Sequence, residues 1–251
     1  MGVRSIDLNA DLAEECGDDE AMYRYISSAS ICCGRHAGSP NAMKKAVAAA
    51  VRHNVVIGAH VGYEDRANFG RSDVKMEYNE LRKLTFNQIH DLLDVVNKAN
   101  TRVQYVKPHG ALYHRIGSDS EQAKAVVDAI AEIDSTLHIL VPETGIIKSA
   151  AAGVGLTVAH EFFADRVYLP VGTLVPRTVV NSVLNDSEKI SERVLHWLAT
   201  GEIAANDGTQ ISVNAQSICL HGDTPDAVAS AASIYQKCKS AGYGIKSWLS
   251  S

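Results

Sequence analysis

The residues able to do chemistry fall at the ends of short apolar runs. The first run ends in Asp7-Leu8-Asn9-Ala10-Asp11, where polar and apolar residues alternate. On an extended backbone that period of two puts Asp7, Asn9 and Asp11 on one face. Later runs end in Cys33-Gly34-Arg35-His36, Gly58-Ala59-His60, Lys107-Pro108-His109-Gly110, Pro142-Glu143, His160-Glu161 and His221-Gly222-Asp223. Asp, Asn, Lys and His converging on one pocket suit proton transfer and activation of a carbonyl or a water. Asp7, Asp11, His60, Lys107 and His109 are the candidate catalytic groups, and Asn9, His36, Glu161 and His221 the candidate substrate contacts. An open N/O site made by Asp11, His36 and His60 also suits Zn²⁺ or a similar divalent ion.

A lone buried histidine is more often a satisfied core residue than a catalyst. Four histidines recurring at the ends of apolar runs make chance placement the weaker explanation. His53, His90, His114, His138, His160 and His196 lack that pattern and are read as ordinary. A Lys ending a buried run is expected to serve a partner or substrate, because its desolvation is unfavourable. Its removal should then cost little stability.

Two segments without regular periodicity lie among these sites. One runs from Gly62 to Arg71, the other from Phe162 to Asp186. A long irregular segment in a compact protein is usually a lid or a binding loop. Arg66, Arg71, Arg166 and Arg177 offer planar donors for a carboxylate or phosphate. Arg166 and Arg177 are the substrate-anion candidates; the competing explanation is ion pairs that brace the loops.

Positioning these groups requires strands. Arg4–Ala10, Ala29–Cys33, Val55–His60, Val103–Lys107, Leu137–Val141, Leu156–His160 and Ser217–Leu220 are rich in Val, Ile and Leu, as strands covered on both faces should be. Helical patterns alternate with them. Ser39-Pro40 reads as a helix start, followed by an apolar stripe of Met43, Ala46, Val47, Ala50 and Val51. Comparable stripes begin at Ile89, Ala123, Ile190 and Val228, and shorter helices are predicted over 18–26 and 143–152. Seven strands alternating with helices predict a parallel sheet, either closed into a barrel or open and doubly wound. In both, ligands bind at the C-terminal strand edge, where the polar groups fall. No linker or repeat divides the chain, so residues 1–251 read as a single domain.

Composition narrows the function. The chain has 251 residues, 46% hydrophobic and 21% charged, with a net charge of −5. That excludes a disordered chain and a membrane bundle, and no basic run marks a nucleic-acid partner. No P-loop, GxGxxG, GxSxG or HExxH occurs. The amino terminus carries no apolar signal region, and five cysteines without a CxxC fit reduced thiols in the cytoplasm. The substrate is expected to be small, with a homo-oligomer left open.

Six stretches, IDLNADLAEECGDD, CCGRHAGSP, GAHVGYEDRANFGRS, VKPHGALY, FADRVYLPVGTLVPR and CLHGD, together resemble the LamB/YcsF family. The resemblance runs in order from Ile6 to Asp223. It implies a (β/α)₇ TIM-like barrel resembling the glycoside hydrolase/deacetylase barrels. It implies the A subunit of ATP-dependent 5-oxoprolinase, opening 5-oxoproline to glutamate with B and C subunits. The absent P-loop agrees with ATP chemistry that needs those partners. The chain departs from the family pattern at Ala13, Glu15, Cys32, Arg35, Val61 and Ser72, and Arg35 adds a charge beside the expected pocket. Two alternatives stand beside this one. The first is a stand-alone metal-dependent amidohydrolase or deacetylase, and the second is a binding subunit without chemistry of its own.

Overall fold

The computed structural model describes residues 4–224 and 226–250. Its strands are β1 (Arg4–Leu12), β2 (Ser28–Cys32), β3 (Val56–Val61), β4 (Val103–Pro108), β5 (His138–Val141), β6 (Thr157–Phe163), β7 (Glu202–Ala204), β8 (Gln210–Ser212), β9 (Ser217–His221) and β10 (Tyr243–Ile245). Its helices are α1 (Asp19–Met22), α2 (Pro40–His53), α3 (Tyr78–Lys98), α4 (Gly110–Arg115), α5 (Ser120–Ile133), α6 (Ile147–Gly153), α7 (Ser187–Thr200) and α8 (Ala227–Ser240).

Seven parallel strands close on themselves in the order β1-β2-β3-β4-β5-β6-β9, and β9 pairs back to β1. Closure selects the barrel over the open sheet. All seven expected strands form within about three residues of their sequence bounds. The helices wrap the outside: α1 to α7 lie on the connections between successive barrel strands, and α8 joins β9 to β10. α2 begins as the sequence reads: the Ser39 side chain accepts from the Ala42 N–H, Pro40 fills the first turn, and left-handed Asn54 ends the helix.

Four elements escaped the periodicity. The antiparallel hairpin β7–β8 carries only three residues per strand. β10 adds to the amino end of β1, outside the barrel ring. α4 is a single short helix directly after β4. Two predicted helices also shrink. The first occupies only Asp19–Met22, and α6 starts at Ile147 because the Ile146 N–H bonds the Gly117 carbonyl.

Alternation along β1 divides its side chains. Leu8, Ala10 and Leu12 join the apolar layer beneath the helices, and Asp7, Asn9 and Asp11 enter the barrel. The barrel floor is apolar and closed. Trp248 packs on Tyr105 with ring centroids 5.1 Å apart, and Ser247 bonds Ser28 at 3.0 Å. A polar column therefore rises from this floor to an open C-terminal mouth. No helix among the described residues is long and apolar enough to cross a membrane.

Candidate active site

A cavity of about 650 Å³ opens at the C-terminal end of the barrel. Asp11, His60, Lys107, His109, Arg166, Arg177 and His221 all line it. Strand ends from β1, β3, β4 and β9 bring these groups together, as the sequence reading required.

Lys107 is the hub of the interior. Its ammonium lies 2.8 Å from Asp11 Oδ1, 3.0 Å from Glu161 Oε2, 3.2 Å from Asn9 Oδ1 and 3.0 Å from Cys219 Sγ. Three ammonium protons meet four acceptors, so none is left over for a substrate. Burial alone would neutralise Lys107, but Asp11, Cys219 and Glu161 hold its pKa well above the usual range. Burial likewise opposes the Asp11 carboxylate, and the Lys107 ammonium at 2.8 Å outweighs it, keeping Asp11 ionised. For Glu161, burial prevails over Lys107 and its carboxyl is raised. Removing Lys107 would strand two buried carboxyl groups. That corrects the expectation that its loss costs little stability.

At the mouth, Asp165 accepts from His221 Nδ1 at 2.9 Å and from the His221 N–H at 3.1 Å. A carboxylate on Nδ1 fixes the imidazole ring and leaves Nε2 for a proton. Arg177 and Arg71 meet on Asp223 at 3.4 and 2.6 Å, bridging the two irregular loops. Among the described residues, one Arg177 Nη and one Asp223 Oδ are buried without a hydrogen-bond partner.

A second cluster begins in the cavity wall with His60 and His109 and extends behind it to Glu14 and His36. His60 Nε2 lies 2.9 Å from His109 Nδ1, and the His36 and His109 rings stack 3.8 Å apart. Glu14 Oε1 lies 3.0 Å from His36 Nε2, 3.4 Å from His109 Nδ1 and 3.7 Å from His60 Nε2. Gly62 and Gly70 press against this stack. A Cβ at Gly62 would meet His36 Nδ1 at 2.7 Å, and one at Gly70, where φ is +65°, would meet His36 Cβ at 2.7 Å. Burial drives the His36 and His109 pKa values down to about 3 and lowers that of His60 well below normal. It raises the Glu14 carboxyl to about 7.

Several sequence candidates lie elsewhere. Asp7 is one layer deeper, accepting from Ser27, Ser28 and Ser217, and it does not line the cavity. Asn9 lies beneath Lys107, donating to Glu161 at 3.2 Å and Ser217 at 2.7 Å. Glu161 faces a smaller adjoining cavity of about 370 Å³. His36 stands behind the wall. Arg166 donates to the Val175 and Ser182 carbonyls, bracing its own loop. Arg66 likewise clasps the Gly34, Ala37 and Gly38 carbonyls. Arg35 pairs with Asp91 at 3.0 Å on the surface and is not among the cavity-lining residues, contrary to the charge expected there.

Sequence reasoning missed Glu14 and the role of Asp165. Glu14 belongs to an acidic pair in a loop, ordinarily a solvated feature. Left-handed backbone at Ala13 and Glu15, φ 64° and 59°, turns it inward.

A closed seven-stranded β/α barrel with a polar site at its C-terminal mouth defines this molecule as a barrel of the enzyme-bearing type. The chain belongs to the LamB/YcsF family, whose model matches residues 6–250. It is 45% identical over 251 residues to a 5-oxoprolinase A subunit of Agrobacterium fabrum, covering 98% of each chain. The crystal structure of the lactam utilization protein from Thermus thermophilus superposes with a TM-score of 0.91 at 32% identity. That match covers 97% of this chain and 100% of the other. The catalytic domain of a peptidoglycan N-acetylglucosamine deacetylase from Eubacterium rectale shares the fold alone. Its TM-score is 0.54 at 11% identity, over 99% of this chain and 90% of the other.

Proposed function

We propose that this chain is the A subunit of an ATP-dependent 5-oxoprolinase, the part in which the lactam ring opens to glutamate. The observation that carries the reading is the cavity, where ionised Asp11, the oriented His221–Asp165 pair and Arg177 share one space above the Lys107 ammonium. The relatives' names supply the substrate.

In this reading Arg177, which lines the cavity, holds the substrate carboxylate. Asp11 orients the attacking water and His221 Nε2 takes its proton. The ring C–N bond breaks, the water oxygen ends in the new carboxylate, and the ring nitrogen takes a proton. Lys107 stabilises the developing oxyanion by its field and through Asp11, because its N–H groups are already engaged. His60 and His109 form the wall beside Asp11, at 3.4 Å for His60. Asp7, Asn9, His36, Glu161 and Arg166 hold these groups in place.

A five-membered lactam is a poor electrophile, and the chain carries no P-loop or glycine-rich nucleotide motif. We assign activation by ATP to partner B and C subunits. The same reading sets the reaction in the cytoplasm, in keeping with five free cysteines.

The test is glutamate release from 5-oxoproline and ATP by the chain alone and with the B and C subunits. Release is expected only from the assembly, and Asp11→Asn in the assembly should lower it at least about 100-fold. Robust ATP-dependent release by the chain alone would overturn the division of labour. No release from the assembly would overturn the lactam reading.

A further inference from the structure

We propose that Glu14, His36, His60 and His109 form a buried four-ligand site for a divalent transition-metal ion of the zinc type. The inference stands apart from the ring-opening reading, since it concerns ligand atoms in and behind the cavity wall and needs no substrate.

The hydrogen-bond pattern leads to it. His60 Nδ1 lies 3.0 Å from the Lys107 carbonyl, so that nitrogen carries the proton and donates it. His109 Nε2 lies 2.8 Å from the Phe69 carbonyl and does the same. The opposite nitrogens, His60 Nε2 and His109 Nδ1, are therefore both lone pairs, and they face each other at 2.9 Å. Two lone pairs at that distance repel unless something positive lies between them. A proton there would make a buried imidazolium. A metal ion resolves the conflict and is also met by Glu14 Oε1 and His36 Nε2.

The spacing agrees. Ligand atoms about 2.0–2.1 Å from a tetrahedral ion lie roughly 3.3–3.4 Å apart. The separations of 2.9, 3.0, 3.4 and 3.7 Å bracket that value, and the four donor atoms all lie within 4.8 Å of one another. Backbone carbonyls on the far nitrogens of His60 and His109 are the outer partners that metal-bound histidines ordinarily have, whereas His36 Nδ1 has none among the described residues. Gly62 and Gly70 admit no side chain against the stacked rings, so the loops seal the site.

Two rival donor sets fail. Asp11, Cys219 and His221 also cluster, but the Lys107 ammonium already occupies the space between Asp11 and Cys219, at 2.8 and 3.0 Å. The Cys32 thiol lies 3.3 Å from His36 Nε2, yet it donates its proton to the Ala37 carbonyl. The donor set is three imidazoles and a carboxylate, which suits Zn²⁺ and its neighbours rather than Mg²⁺ or Ca²⁺.

The test uses the full chain, purified without a metal-affinity tag, with no substrate or partner present. Elemental analysis is expected to find about one transition-metal ion per chain. Glu14→Gln and His36→Ala should each reduce retention at least about tenfold, and Asp7→Asn, one layer deeper, should leave it unchanged. Chelation should lower the melting temperature of the parent chain and leave that of His36→Ala unmoved. Should the variants misfold, Co²⁺ added to the stripped parent chain decides alone. Visible bands of a four-coordinate N/O site support the inference, and a near-ultraviolet thiolate band overturns it. No retained ion and no melting shift with added Zn²⁺ or Co²⁺ would overturn it, as would loss of the ion in Asp7→Asn.

Discussion

Lys107 Nζ lies 2.8 Å from Asp11 Oδ1, although the two residues are 96 positions apart in the chain. The pair joins β4 to β1 across the barrel interior, and Glu161 of β6 closes on the same ammonium at 3.0 Å. Such a buried charge set is balanced only while all its members are present. Lys107→Met is therefore expected to destabilise the fold by about 3–5 kcal/mol, measured by urea unfolding at neutral pH. Adding Asp11→Asn should recover part of that loss, giving a clear coupling energy in the double-mutant cycle. Additive effects would show that the pair is not an energetic unit.

Asp7 gives the fold a pH dependence of its own. Burial raises its carboxyl from 3.8 to about 6, against the hydrogen bonds from Ser217, Ser27 and Ser28. Below about pH 4 the group is protonated both folded and unfolded. Between about pH 4 and 6 the unfolded chain releases its proton first, so stability falls as pH rises, by roughly 2–3 kcal/mol in all, and is level above that range. Asp7→Asn should remove this slope. Parallel stability curves for the two proteins from about pH 4 to 7 would refute the assignment.

The bond from His221 Nδ1 to Asp165 sets the ring's tautomer. In the assembled enzyme Asp165→Asn is expected to lower kcat by about 10²–10⁴-fold with KM little changed, because the wrong nitrogen would then carry the proton. Equal losses in kcat and substrate affinity would point instead to collapse of the mouth.

Arg177 lines the cavity and is positioned by Asp223. Arg177→Met should raise KM for 5-oxoproline about tenfold to a hundredfold, the value of one charge-assisted contact, with a smaller effect on kcat. An unaltered KM would move the carboxylate contact to another group.

Much of the barrel was legible because its signals are local. Strands buried on both faces read as Val/Ile/Leu runs, and Ser39-Pro40 marks a helix start by its own chemistry. The elements that escaped, β7, β8, β10 and α4, are too short to show a period. The site was partly legible for the same reason. Polar residues at the ends of parallel strands must meet at one edge once the sheet closes, so Asp11, His60, Lys107, His109 and His221 share a cavity.

The sequence by itself determined the order of strands and helices and the end of the barrel to which the reactive groups belong. Backbone periodicity and strand polarity require only neighbours along the chain. The tertiary structure decided depth and pairing. It sank Asp7 among three serines, tied Arg166 to backbone carbonyls, surrounded Lys107 with acceptors from three other strands, and turned Glu14 in among three histidines. Those outcomes depend on which atoms meet across a closed barrel. Contacts between residues so far apart in the chain leave no periodic trace in the sequence.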